Sequence, residues 1–131
     1  MIHYTNQKTI TAEQLARVFE RSGINRPVKD LPRLQAMLDY ADILWTAWEG
    51  DVLVGVARSI TDFSYCCYLS DLAVDRACQK QGIGKELIRL TKAQIGDGVM
   101  LLLLSAPGAM GYYPKIGMET AGNAFIIRRK G

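Results

Sequence analysis

An α/β fold, a mixed β-sheet flanked by helices, is predicted by three features of the chain. Helical and extended patterns follow one another from end to end with no internal repeat and no low-complexity linker. A strand-like run at Leu72, Ala73 and Val74 passes through a glycine-bearing loop straight into an amphipathic helix that begins near Ile83. After that helix, residues 100–104 form a continuous apolar run bounded by turn residues, the pattern of a strand covered on both faces. The predicted order is β-α-α-β-β-β-α-β-α-β.

Residues 2–5 read as a short strand. Thr11 suits an N-cap, and Gln14 stands at the capping-box position three residues on. Leu15, Val18 and Phe19 form the stripe of this first helix, and Gly23 stops it. Residues 24–29 are a loop. Asp30 caps a second helix in which Leu31, Leu34, Leu38 and Ala41 share a face and Pro32 is tolerated in the first turn. From Ile43 the period changes. Residues 43–48, a turn at Glu49-Gly50-Asp51 and residues 52–60 read as a hairpin, and residues 65–74 as a longer strand beside it. The helix after the glycine loop puts Ile83, Leu87, Leu90 and Thr91 on one side and Lys85, Glu86, Arg89 and Lys92 mostly on the other, and it ends near Gly96. A short helix over residues 108–115, irregular because of its glycines and prolines, and a last strand over residues 124–129 close the order.

At 131 residues the chain suits one domain, residues 1–131, with one core. Its hydrophobic share of 49% and charged share of 22% are those of a globular protein, far from a disordered one. The formal charge of +3 is modest and scattered, so no nucleic-acid stripe is visible; Arg128-Arg129-Lys130 reads as a solvated end. Three cysteines, Cys66, Cys67 and Cys78, and a single histidine, His3, offer neither a disulfide framework nor metal-ligand spacing. The start lacks a signal-peptide pattern, and the longest apolar run is too short to span a bilayer. These readings place the chain in the cytoplasm, away from membranes and with no metal.

The segment Leu72-Ala-Val-Asp-Arg-Ala-Cys-Gln-Lys-Gln-Gly-Ile-Gly-Lys85 carries the chemistry. The first amides of a helix lack intrahelical partners and sit at the positive end of the helix dipole, so this junction favours an anion. Gly82 and Gly84 let backbone approach a ligand closely. The nucleoside-triphosphate loop fails here at two positions, with Gln79 for its first glycine and Glu86 for its hydroxyl. The dinucleotide fingerprint meets Leu87 in place of its third glycine. The segment does fit Q/R-x-x-G-x-G/A, as Gln79-Lys80-Gln81-Gly82-Ile83-Gly84, directly after a strand.

This pattern resembles the acyl-coenzyme A pyrophosphate loop of the GNAT superfamily of N-acetyltransferases. Tyr112-Tyr113-Pro-Lys-Ile-Gly-Met118 is similar to a second segment of that family, and the order of elements also matches, so the resemblance covers nearly the whole chain. It implies acetyl-CoA as donor. The strand residues Leu72, Ala73 and Val74 would take the pantetheine arm, with an amide at or near Leu72 polarising the thioester carbonyl. Loop amides from Gln79, Lys80, Gln81, Gly82, Ile83, Gly84 and Lys85 would hold the pyrophosphate, with added charge from Lys80 or Lys85. Tyr113 matches the family's general acid, a phenol that is protonated at neutral pH. Asp71 is a candidate base, with a hydrogen-bonded structural carboxylate as the competing reading; Tyr68 and Ser70 fall on the alternate face. Ala106 departs from an asparagine of many relatives, and Met118 from a phenylalanine.

The resemblance implies transfer of acetyl to a small-molecule amine, and relatives often form homodimers. A protein lysine or N-terminal amine is the alternative acceptor, and a catalytically silent acyl-CoA-binding module is the alternative class. Trp45, Trp48, Arg58, Asp62 and Phe63 are candidate lining residues of the acceptor site, each equally readable as a sheet-face residue.

Overall fold

The computed structural model describes residues 1–130. Five strands form one sheet in chain order: β1 (Ile2–Thr5), β2 (Ile43–Glu49), β3 (Val52–Thr61), β4 (Cys66–Val74) and β5 (Met100–Leu102). The pairs β1–β2, β2–β3 and β3–β4 are antiparallel, and β4–β5 is parallel. The parallel pair needs a crossover, which α3 (Ile83–Ile95) supplies.

Helices α1 (Ala12–Ser22) and α2 (Leu31–Asp39) cover one face of the sheet. The capping box of α1 is closed in both directions: Gln14 N–H donates to Thr11 Oγ1 at 3.0 Å, and Thr11 N–H donates to Gln14 Oε1 at 2.9 Å. Gly23 ends α1 in the left-handed region at φ 82°. Leu15, Phe19 and Leu34 are fully buried against Trp48, Leu53, Val56 and Ala73 of the sheet. Each such side chain contributes about 1.5–3 kcal/mol relative to exposure. On the opposite face α3 packs through Ile83, Leu87 and Ile88 onto Ala47, Val54, Ala57 and Leu69. Gly55 allows that approach, since a Cβ there would meet Ile83 Cγ2 at 3.2 Å and Leu87 Cδ1 at 3.3 Å.

One irregularity organises the functional end of the sheet. Arg58 of β3 opposes Asp71, but its neighbour Ser59 opposes Leu69, so Ser70 is an extra residue on β4. Such a bulge bends its strand and shifts side-chain alternation by one. Leu69 therefore packs in the α3 core while Ala73 packs in the α1 core, although the two are an even number of residues apart. The last pair between β4 and β5 is Tyr68–Leu102, just before the bulge, and from there β4 runs on to Val74 without β5 beside it.

Three predicted features are corrected. The strand expected over residues 100–104 stops at Leu102 and is not covered on both faces: Met100 and Leu104 are exposed, because β5 is the edge of the sheet and the chain beyond it turns away from the ladder. The helix expected over residues 108–115 splits into a 3-10 turn, Pro107–Ala109, and the single turn α4 (Tyr112–Lys115) around Gly111. No strand forms over residues 124–129; Phe125 and Ile127 are fully open to solvent. A strand needs a partner edge for its backbone groups, and three residues of β5 offer too short a ladder.

Candidate active site

Two contiguous cavities flank the bent half of β4. The smaller, of about 180 Å³, lies in the gap that opens between β4 and the chain after β5. Leu72, Ala73 and Val74 form one wall, Leu103, Leu104 and Ala106 the other, and Gln79 and Tyr113 complete it. The larger, of about 660 Å³, lies beneath the loop between α1 and α2, and it shares Ile24, Arg26, Ser70, Leu104 and Ala106 with the first.

The glycine loop follows the end of β4, and Gln79 is its one residue in the lining of the smaller cavity. Gln79 Nε2 donates to the carbonyl of Val74 at 3.1 Å, tying the loop to the end of β4. Lys80 and Gly82 both adopt left-handed backbone, at φ 70° and 78°, and Gly82 is the N-cap of α3. No side chain caps this helix. The first-turn amides are therefore available to a ligand at the positive end of a 13-residue helix. The Ile83 side chain is buried in the α3 core and faces away from either cavity lining. Gly84 faces the gap: a Cβ there would lie 3.3 Å from Tyr112 Oη and 3.9 Å from both Leu72 Cδ2 and Val74 Cγ2. Lys80, Gln81 and Lys85 are exposed around the loop.

Tyr113 is half-buried in the smaller cavity, with Tyr112 edge-on to it at 5.1 Å between ring centres. Burial, and then the neighbouring Tyr112, pushes the Tyr113 phenol above its ordinary value, so it stays protonated throughout the neutral range. The structure thus brings Tyr113 together with Leu72, Ala73, Val74 and Gln79 in one cavity, whereas Lys80, Gln81, Gly82, Ile83, Gly84 and Lys85 lie outside its lining, with Gly84 next to Leu72 and Val74.

Asp71 belongs to the other cavity. It is fully buried, and both carboxylate oxygens accept from guanidinium groups: Arg26 Nε donates to Oδ1 at 2.6 Å and Arg58 Nε to Oδ2 at 2.5 Å. Arg26 also donates through Nη2 to the Ser70 carbonyl at 2.8 Å, and Arg58 through Nη2 to Ser70 Oγ at 3.1 Å. The bulge places Tyr68, Ser70 and Asp71 together on this cavity, whereas strict alternation separates Asp71 from the other two.

Of the candidate acceptor residues, only Arg58 lines either cavity. Trp45 donates to Gln94 Oε1 at 2.9 Å, Trp48 is buried under Lys8, Asp62 accepts three backbone N–H groups of the turn that follows it, and Phe63 is exposed. Sequence reasoning missed Arg26, Arg33, Arg128 and Arg129, which line the larger cavity. The terminal basic cluster is exposed, as expected of a solvated end, yet two of its members face that cavity. No residue pattern marks such a convergence, because it depends on how four distant segments meet.

No group of three or more potential metal ligands occurs among the described residues, and their cysteines are free. No helix among them is long and apolar enough to cross a membrane.

A mixed sheet that splays after its parallel pair, with a helix crossing over from a glycine loop, is the architecture of an acetyltransferase-type fold. The family model "Acetyltransferase (GNAT) domain" matches residues 6–128. The chain belongs to the GNAT acetyltransferase family. No curated protein matches it in sequence. Among solved structures it is similar to a GNAT-family acetyltransferase from Streptococcus pneumoniae, with 23% identity, coverage of 98% of this chain and 100% of that one, and a TM-score of 0.74. A Staphylococcus aureus protein of unknown function shares 22% identity over the whole of both chains with a TM-score of 0.83. A GNAT-family acetyltransferase from Brucella melitensis, solved in complex with acetyl-CoA, shares 20% identity, covering 92% of this chain and 84% of that one, with a TM-score of 0.70. At these identities the likeness to solved structures concerns the fold.

Proposed function

We propose that the protein transfers an acetyl group from acetyl-CoA to the amine of a small molecule, with both bound at once in the two joined cavities. The observation that carries this reading is the junction itself. A narrow gap walled by Leu72 and Val74, which Gly84 of the uncapped first turn of α3 approaches, opens, past Tyr113, into a wider cavity with a different lining.

The residues present fit the donor. The α3 amides and the close approach at Gly84 suit a pyrophosphate, and the free edge of β4 suits an extended amide-bearing arm. Acetyl-CoA supplies the activated acyl group. Leu72, Ala73 and Val74 orient it through backbone, and a β4 amide near Leu72 donates to the carbonyl oxygen as negative charge develops there. Tyr113 gives its phenolic proton to the departing sulfur. Asp71 holds Arg26 and Arg58 in place, since both of its oxygens are already engaged, and the proton released by the amine passes to water in the open cavity.

Tyr113→Phe tests the assignment. Turnover is expected to fall by about 10²-fold or more while acetyl-CoA affinity stays near that of the wild type. Equal rates would remove the acid role. A failure of acetyl-CoA to raise Tm at saturating concentration would remove the donor.

A further inference from the structure

We propose that the acceptor is an amine that also carries an oxyanion, a carboxylate or a phosphate, and that the arginines of the larger cavity hold that oxyanion. This rests on the acetyl-transfer reading above and names the substrate class for the same site.

The wall of the larger cavity carries five arginines, Arg26, Arg33, Arg58, Arg128 and Arg129, against one acidic residue, Asp71. They come from the loop after α1, from α2, from β3 and from the C-terminal segment, so the concentration of charge is a product of folding. Asp71 neutralises at most one of the two guanidinium groups that it binds, and one of them, Arg58, is only 7% exposed, so positive charge is left over on the cavity wall. Arg33 shares its charge with Asp30 at 3.4 Å, whereas Arg128 and Arg129 make no ion pair among the described residues.

A guanidinium has five N–H donors in a planar fork, which matches carboxylate and phosphate oxygens. Arg26 and Arg58 each direct three of these groups at protein acceptors and retain others. A purely cationic acceptor would enter against this field. An acceptor with an oxyanion would be drawn in and also oriented. Its anionic end would face the arginines, leaving the amine for the junction, where Ile24, Leu104 and Ala106 give an apolar wall continuous with that of Tyr113. The same field disfavours the ammonium form of the bound amine, which helps to supply the neutral nucleophile that the reaction needs without a dedicated base.

The test is a set of matched acceptors assayed by release of free coenzyme A thiol: phenylalanine and leucine, each with its amide and its decarboxylated amine, and phosphoethanolamine with ethanolamine. At least one oxyanion-bearing member is expected to exceed its oxyanion-free partners in kcat/KM by about 10–100-fold, the worth of one charge-assisted hydrogen-bond set. The carboxylate and phosphate series identify which oxyanion is used. In Arg128→Gln/Arg129→Gln the preference should shrink toward one through a raised KM for the anionic member. Oxyanion-free partners that equal or surpass the acids, or a peptide lysine as the sole acceptor, would overturn the proposal. A second measurement does not depend on turnover: calorimetric binding of the N-acetylated acids and the N-acetylated amides to the protein with coenzyme A present. If nothing is acetylated although acetyl-CoA raises Tm, the transfer reading fails, and a tighter binding of the acids would still uphold the oxyanion site. Equal binding would reject it.

Discussion

Replacing Gly84 with alanine separates the structural from the binding role of the glycine loop, because the two respond with opposite sign. Gly84 lies in the first turn of α3 and is not among the glycines with positive φ, so alanine fits its backbone. The added methyl would be tight only against Tyr112 Oη, at 3.3 Å, the end of a rotatable side chain. The unliganded fold is then stabilised by about 0.4–1 kcal/mol through lost freedom of the unfolded chain. That is a rise of roughly 2–5 °C in Tm for a chain of this size. The same methyl projects toward Leu72 and Val74, into the mouth of the gap where a phosphate would approach the amides. Holding the phosphate off one such amide forfeits about 1.5–3 kcal/mol, so Kd for acetyl-CoA rises about 10–100-fold. Melting curves with and without acetyl-CoA read both effects. At about 100 times the wild-type Kd the wild type gains about 2.7 kcal/mol and the variant at most about 1.4 kcal/mol. A variant that melts higher alone and keeps the full ligand-induced shift would refute the seat at this loop.

Asp71→Asn leaves two guanidinium groups with an incomplete partner and should cost about 3 kcal/mol in urea unfolding; a loss below about 1 kcal/mol would show that the Arg26–Asp71–Arg58 cluster contributes little. Asp75 accepts from Arg21 Nε and from Ala77 N–H, and its bond to Arg21 leads the effects that hold its carboxyl below the usual carboxylate range. Its stabilising effect is complete above the unfolded carboxyl pKa of about 3.9 and fades as pH falls through the lower folded value. Asp75→Asn should therefore melt lower than the wild type at pH 7, by about 1 kcal/mol of stability, and converge on it in strong acid; a gap independent of pH would refute this. Cys66 is exposed, whereas Cys67 and Cys78 are buried and burial raises both of their thiols. An aromatic disulfide reagent should titrate one thiol quickly in the native protein and the others only on unfolding; a second fast thiol would contradict the burial.

Local chemistry was legible in the sequence, and long-range geometry was not. The capping box at Thr11 and Gln14, the stop at Gly23 and the cap at Asp30 each depend on a few adjacent residues, and each stands where the pattern put it. The strand, loop and helix from Leu72 to Lys85 were readable for the same reason. The register of β4 against β3 was not readable, because a bulge is decided by the partner strand and the packing on both faces, and Leu-Ser-Asp-Leu carries no glycine to announce it. The terminal Phe125-Ile-Ile127 run has strand composition and finds no ladder, a case in which the neighbourhood overrides propensity.

The extra residue at Ser70 accounts for three features of the site that look independent. By bending β4 just past its last pair with β5 it opens the gap, and with it the free edge that an extended ligand can use. By shifting the alternation it turns Asp71 toward the loop after α1, where Arg26 and Arg58 reach it. Its own carbonyl and hydroxyl then take a second N–H from each of those arginines, so the residue that breaks the ladder also anchors the guanidinium groups on the cavity wall. The smaller cavity and the arginine-lined one thereby meet at Ser70, one of five residues that line both. Deleting Ser70 should restore regular pairing and disturb both sides together, with acetyl-CoA binding and anionic-acceptor preference lost in the same variant. Loss of only one of them in a deletion that still folds would show that gap and arginine wall are set separately.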